Sequence, residues 1–503
     1  MGRGWLGYER ERLTALARRI ADAADYYDGI TSDEPLTQPA IATIRAISFE
    51  LRTTWLPLIA RICGDTSMTA WTGCGPGISA GWSAVEQPPE PGDPDAVREW
   101  WESLSEEQQL EYIAGAPALI GNLNGVPAWA RDQANRSVLD ADVERLEAED
   151  AAGSLDADGA AVLANAQATQ EAIIGAEQFV DPVTGLPVTV QLYIYEPAAY
   201  HGDGRAAIGL GDLDTADNVA VTVPGLGTEV TRIGTSVQQN IYTDAREQYP
   251  GGTVAVLNWV GYDAPSAVVP EGSGGLPDLV GEAMTDLSGV ATMGKARDGA
   301  DVLAEDVAGI NAMRDEDVHL TVVGNSYGST TAAIAADEFD LEADVLVLTG
   351  SPGAGEAETA AELSTGTDNT WVASASNDPV TYLGDTGGHD PLDVVEPIEV
   401  LSGTEFGLGR DPSEDEFGAQ RVRAEWSERG DGSWTFDAHG HYYDVDSESN
   451  ENIASIVMGH PEDVELAEHR EKDEVNGLCD VLTLNVDAFP EDPEADRDVD
   501  ADD

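Results

Sequence analysis

A serine set between glycines at the end of a β-branched run is the feature of this chain with the most direct chemistry. Residues 319–330 read HLTVVGNSYGST and contain Gly324-Asn325-Ser326-Tyr327-Gly328. A nucleophilic serine on a sharp strand-to-helix turn needs small residues two positions either side, so that strand and helix can approach. The turn lifts the hydroxyl clear of the strand and puts a helix N-terminus beneath it, which favours developing negative charge. The same spacing recurs at Gly77-Ile78-Ser79-Ala80-Gly81, but Ser79 follows a Gly/Pro loop (TGCGPG) rather than a strand. Ser326 is therefore the expected nucleophile.

Such a serine needs a base to take its proton and an acid to orient that base. On a strand-turn-helix nucleophile the chain order is Ser, then acid, then His. Of the seven histidines, His201 and His319 precede Ser326, and His389 lies in a Gly loop. His439 and His441 occur together in DAHGHYYD, whereas His460 and His469 read as surface residues. Order alone leaves both His439 and His441 standing. For the acid, Asp378 follows a predicted strand in SASNDPV, and strand ends carry the site residues of open α/β sheets. Asp385 and Asp390, in the next loop, are its rivals. Oxyanion donors are expected from the N–H of Tyr327 and from the loop 221–230 (VTVPGLGTEV), where Leu226 sits between Gly225 and Gly227. No metal or organic cofactor is implied, and water would be the co-substrate.

The elements that must hold these residues change character along the chain. Residues 5–27, 40–63, 95–114, 136–149 and 158–178 carry apolar positions near a 3.6 period and read as helices. From 179 onward, β-rich runs alternate with helical stretches. Strands are predicted at 187–195, 205–210, 218–223, 253–259, 318–323, 343–349, 370–375 and 420–426, and helices near 232–247, 296–314, 328–337 and 450–458. Several of these strands are continuous apolar runs, as in a parallel sheet buried on both faces. The reading is a helical N-terminal domain at 1–178, an α/β domain at 179–470 and an acidic, largely disordered tail at 471–503, most polar from Pro490 on.

The 503 residues carry 95 Asp and Glu against 25 Lys and Arg, a formal net charge of −70. That surface repels phosphate backbones and excludes nucleic acid as a partner. It also repels itself at low salt, so a high-salt working environment is expected. Cys63, Cys74 and Cys479 show no metal-site spacing and read as free thiols. Residues 1–20 have no apolar signal-peptide core, and no run approaches the roughly 18 apolar residues of a membrane span. The expected location is cytoplasmic by default, with non-classical export as the alternative.

Several ordered segments carry a family resemblance. They are AVREWWESLSEEQQLEYI, LIGNLNGVPAWARDQANR, VTVPGLGTEV, NWVGYDAP, VVGNSYGSTTAA, GSPGAG, SASNDPV, FGLGRDPSEDEFGAQR and HGHYYDVDSESNENIASIVMG, spanning about residue 94 to 459. In these the chain resembles an actinobacterial family of α/β-hydrolases catalogued as a domain of unknown function. The resemblance implies an α/β-hydrolase fold, with a mostly parallel eight-stranded sheet flanked by helices and preceded by helices. It also implies a Ser-Asp-His site. The family's end motif, aligned on His439-Gly440-His441-Tyr442-Tyr443-Asp444, selects His439 over His441. The chain departs from the family at Asn325, where His is frequent, and at His441, where a small residue stands. The implied activity is hydrolysis of a small-molecule carboxylic ester or related acyl bond through an acyl-enzyme. A silent binding or envelope-associated protein on the same fold, and lipase or peptidase action, are the alternatives.

Overall fold

The structure is a computed structural model that describes residues 88–89, 92–265, 293–314, 318–382, 408–425, 438–470 and 492–495. The helices expected at 5–27 and 40–63, the Ser79 motif, the three cysteines and Asp385, His389 and Asp390 lie outside the described residues.

Eight strands form one mixed sheet: β1 (Val190–Glu196), β2 (Arg205–Leu210), β3 (Asn218–Val223), β4 (Val254–Val260), β5 (His319–Asn325), β6 (Val345–Thr349), β7 (Thr370–Ala373) and β8 (Gln420–Val422). Their order is β1-β2-β4-β3-β5-β6-β7-β8. β2 pairs antiparallel with β1 and β4, and every pair from β4 to β8 is parallel. The order reverses at β3, with β4 on one side and β5 on the other. Crevices at the carboxyl ends of strands form at such switch points.

The continuous apolar strands are buried on both faces, which is why they lack alternation. On one face Val219, Val221, Leu257, Val322 and Leu348 pack against α7 (Gly294–Ala312) and α8 (Tyr327–Glu338). On the other, Ala220, Val256, Val323 and Val347 meet α6 (Ser236–Gln248) and α9 (Glu448–Val457).

The N-terminal helices are α1 (Pro94–Ser103), α2 (Glu106–Gly115), α3 (Pro117–Ile120), α4 (Ala128–Ala151) and α5 (Ala157–Ala176). The single helix expected at 95–114 is two, because Ser105 starts a new one through a reciprocal cap with Gln108. Helix α4 begins well before the expected residue 136. Its first turns are polar where they are buried: Arg131 donates to the Tyr193 carbonyl at 2.9 Å, Asn135 to the Leu192 carbonyl at 3.0 Å, and Asp132 accepts the Leu192 N–H at 2.7 Å. Asn122 closes both backbone groups of Tyr195. These side chains cover the outer edge of β1, which would otherwise be an open template for another strand. Leu139, Ala166 and Ile173 enter the same core as the sheet. Helices α4 and α5 thus share the sheet's interior, whereas α1, α2 and α3 bury Val97, Trp100, Tyr112 and Ile120 in a separate cluster against Ala130 and Ala134 of α4.

The acidic tail also departs from a purely solvated segment. Of its described residues, Asp492 is buried and ion-paired with Arg421 and Arg470 at 2.7 Å each. Two buried guanidinium groups outweigh the solvation that an isolated carboxylate would keep. Among the described residues no helix is long and apolar enough to cross a membrane.

Candidate active site

Ser326 stands between the last residue of β5 and the first of α8, at φ 55° and ψ −131°. A non-glycine residue held there stores roughly 1–3 kcal/mol and persists only because its surroundings enforce it. The flanking glycines are required by contact. A Cβ on Gly328 would lie 2.2 Å from the Val223 carbonyl oxygen, and one on Gly324 would lie 2.5 Å from Cα of Ser329. The helix that follows is buried from Tyr327 to Ala336, which explains its run of Ser, Thr and Ala. The N–H of Ser326 donates to the Thr349 carbonyl at the end of β6, at 2.9 Å.

Strand register lines up the rest. Asn325 pairs with Thr349, and Thr349 with Ala373, so Ser326, Gly350 and Ser374 follow three adjacent strands at one edge. Asp378 lies in the loop after β7 and is fully buried. Its Oδ2 is 2.7 Å from Nδ1 of His439 and accepts the Tyr442 hydroxyl at 2.8 Å, while Oδ1 accepts the Val380 N–H at 2.9 Å. Burial alone would raise the Asp378 carboxyl, but the charge and hydrogen bond of His439, with Tyr442 and Val380, hold it below the usual carboxylate range. Burial would lower His439, yet the Asp378 carboxylate beside it raises it above the ordinary imidazole value.

The His439 ring packs on Gly350, where a Cβ would lie 2.9 Å from its Cε1. Gly350 follows Thr349, whose carbonyl accepts the Ser326 N–H, so the end of β6 touches both Ser326 and His439. Among the described residues no hydrogen bond joins the Ser326 hydroxyl to His439. His441 pairs with Asp444 instead, three residues on. His319 lies at the opposite end of β5 and contacts the Ile456 carbonyl at 3.1 Å. His469 contacts the Ala419 carbonyl at 2.7 Å, and His460 stacks on Tyr249.

The loop after β3 reaches the elbow formed by Ser326 between β5 and α8. A Cβ on Gly225 would lie 2.7 Å from Cβ of Ser326 and 3.0 Å from the Tyr327 nitrogen. Leu226 is next along the chain, and its N–H has no partner among the described residues, whereas the Gly227 N–H donates to the Pro265 carbonyl at 2.8 Å. Tyr262 fixes this loop by donating to the Pro224 carbonyl at 2.9 Å, and its ring stacks on Tyr327. Beside the elbow, on the α6 side, is a cavity of about 250 Å³ bordered by Thr222, Pro224, Thr228, Arg232, Asn325 and Tyr443. The Tyr443 hydroxyl is 2.6 Å from Thr349 Oγ1, which also receives Asn325 at 3.2 Å.

Sequence reasoning did not single out Tyr262, Gly350, Tyr442 or Tyr443. Tyr442 and Tyr443 sit within the end motif beside His439, and that adjacency is the one signal that points to them.

A family model described as an alpha/beta hydrolase matches residues 200–387. An uncharacterized protein of Mycobacterium tuberculosis is 35% identical over 393 residues, covering 74% of this chain and 56% of its own length. An uncharacterized protein of Mycobacterium bovis is 36% identical over 158 residues, covering 29% of this chain and 52% of its own. The chain therefore spans about half the length of the curated relatives it matches. Among solved structures, an esterase of Pyrobaculum calidifontis aligns with a TM-score of 0.27 and 15% identity, over 58% of this chain and 90% of that one. A thermostable esterase of Pseudomonas putida aligns with a TM-score of 0.25 and 13% identity, over 65% of this chain and 97% of that one. With its eight-stranded mixed sheet, this chain has the α/β-hydrolase fold, and over residues 200–387 it is similar to an α/β-hydrolase family.

Proposed function

We propose that the chain is a serine hydrolase that cleaves a small carboxylic ester, or a related acyl bond, through an acyl-enzyme. Ser326 Oγ attacks the acyl carbon while Nε2 of His439 takes its proton. Asp378 holds the Nδ1–H of His439, fixes its tautomer and stabilises the imidazolium. The N–H groups of Tyr327 and Leu226 receive the negative charge on the carbonyl oxygen. The leaving alcohol departs with the proton from His439, and water repeats the sequence to free Ser326 and release the acid.

The observation that carries this reading is the His439–Asp378 pair, 2.7 Å apart, set against Gly350 beside the strained Ser326 turn. One observation favours a silent binding protein: the missing Ser326–His439 hydrogen bond among the described residues. In free enzymes such bonds are often long and tighten only with substrate bound. The deciding experiment is labelling of intact protein by a fluorophosphonate in high salt. Labelling of the native chain but not of S326A is expected. Folded native protein that resists the reagent would remove the hydrolase reading and leave the silent one.

A further inference from the structure

The acidic C-terminal segment returns to the loop that carries Asp378. That loop runs from Ser374 to Tyr382, and its backbone is held by buried charge rather than by a strand. Arg421 donates to the Ser374 carbonyl at 2.8 Å. Arg470 donates to the Ala375 carbonyl at 3.2 Å and the Thr381 carbonyl at 3.4 Å, and its guanidinium lies 4.0 Å over the Tyr382 ring. Tyr382 in turn donates to the Ser376 carbonyl at 3.1 Å. The loop is thus gripped on both sides of Asp378.

Both arginines are oriented by one oxygen. Oδ2 of Asp492 accepts Arg421 and Nε of Arg470, each at 2.7 Å. Its other oxygen accepts the Glu494 N–H at 3.0 Å. All three side chains are almost wholly removed from solvent. Asp411 also pairs with Arg470, at 3.2 Å, so these two arginines and two aspartates balance. Without the Asp492 charge, one buried guanidinium loses its counter-ion, and a buried ion pair broken on one side is strongly unfavourable. The arginines would then turn toward other acceptors and release the carbonyls they hold.

From this arrangement we infer that Asp492 is a positioning residue for the catalytic acid: through Arg421 and Arg470 it holds the 374–382 loop in the place where Asp378 meets His439. The inference rests on the reading of Asp378 as the acid of a Ser326 site. Asp492 touches neither His439 nor Ser326, so its influence passes through the loop backbone.

The test compares full-length native protein, D492N and D492E in high salt. It reads the pH dependence of fluorophosphonate labelling, and separately the downfield proton signal of the His439 Nδ1–H. D492N keeps the side-chain shape and removes the charge. Because small misplacements of catalytic groups are costly, it should label about ten- to a hundredfold more slowly. Its acidic limb should move down toward the ordinary histidine value, and D492E should recover most of both. A folded D492N with native labelling rate, native pH limb and native His439 signal overturns the inference. If D492N does not fold, R421K takes its place, because it keeps the charge but cannot hold Ser374 and Asp492 together; the same outcomes decide. If the native protein is not labelled at all, it is the hydrolase reading that fails. The His439 signal then decides alone: lost in D492N it supports the positioning role, retained it overturns it.

Discussion

The hydroxyl of Tyr442 donates to Oδ2 of Asp378 at 2.8 Å. That oxygen also faces His439, so one carboxylate oxygen serves two partners. The same hydroxyl accepts the Ala375 N–H at 3.0 Å, tying the acid to its own loop. Burial, and then the Asp378 charge, push the Tyr442 hydroxyl well above its ordinary value, so it stays a donor across the working range. Y442F removes a hydrogen bond to a charged group and leaves the Ala375 N–H unpaired. It should lower stability by about 1–3 kcal/mol in urea unfolding and slow Ser326 labelling. An unfolding midpoint unchanged from native would show that the bond contributes nothing.

His439 is raised above the ordinary imidazole value of about 6.5, although burial works against it, because the Asp378 carboxylate favours its charged form. Two consequences have opposite signs. The stability gained from the charged pair is complete below the unfolded-state value and is lost as pH rises through the folded-state one. The proposed mechanism needs the neutral ring, so Ser326 labelling should rise with pH to a midpoint above about 6.5. In D378N that midpoint should fall and the plateau should drop. A native midpoint at or below the ordinary value would contradict the pairing.

Gly350 provides a steric test of the same pair. In G350A the new methyl would lie 2.8 Å from Cε2 of Tyr442 and 2.9 Å from Cε1 of His439, and Gly350 already holds φ 52°. Both rings, which share Asp378, must move away from Gly350 or the strand end must shift. If His439 acts as proposed, labelling should fall at least tenfold while the far-ultraviolet circular dichroism stays native, since a misplacement of about 1 Å can cost about a hundredfold. Native reactivity in G350A would mean that His439 works from elsewhere.

Net charge leads to a prediction independent of chemistry. A formal charge of −70 on 503 residues stores repulsion that salt relieves. Between about 0.1 M and 1 M salt the screening length falls from roughly 10 Å to roughly 3 Å. The melting temperature should climb steadily over that range. Equal melting temperatures in dilute buffer and molar salt would remove the case for adaptation to high salt.

Strands were the most legible part of the fold, because burial on both faces leaves long β-branched runs with no helical period to compete. The strand-turn-helix at Ser326 was legible for a related reason: its motif follows such a run, and Ser79's does not. The start of α4 was hidden because Arg131, Asp132 and Asn135 point inward to serve the edge of β1, so the buried side of that helix is polar and breaks the period. The break at Ser105 was readable in its cap pattern, yet the apolar face runs on across it. The choice of His439 over His441 came from family resemblance, and geometry separates them by partner: Asp378 for one, Asp444 for the other. Asp492 was invisible among so many acids. Its meaning depends on Arg421 and Arg470, 71 and 22 residues away along the chain.

The alignment of β5, β6 and β7 has a consequence for how the molecule assembles. A slip of β6 by one residue would put Thr349 or Ser351 where Gly350 must lie, and would turn its core side chains to the opposite face. A chain that had mispaired this strand would then present a side chain to the His439 ring. Reactivity at Ser326 would therefore serve as a reporter of folding fidelity, silent until the central strands have found their correct partners.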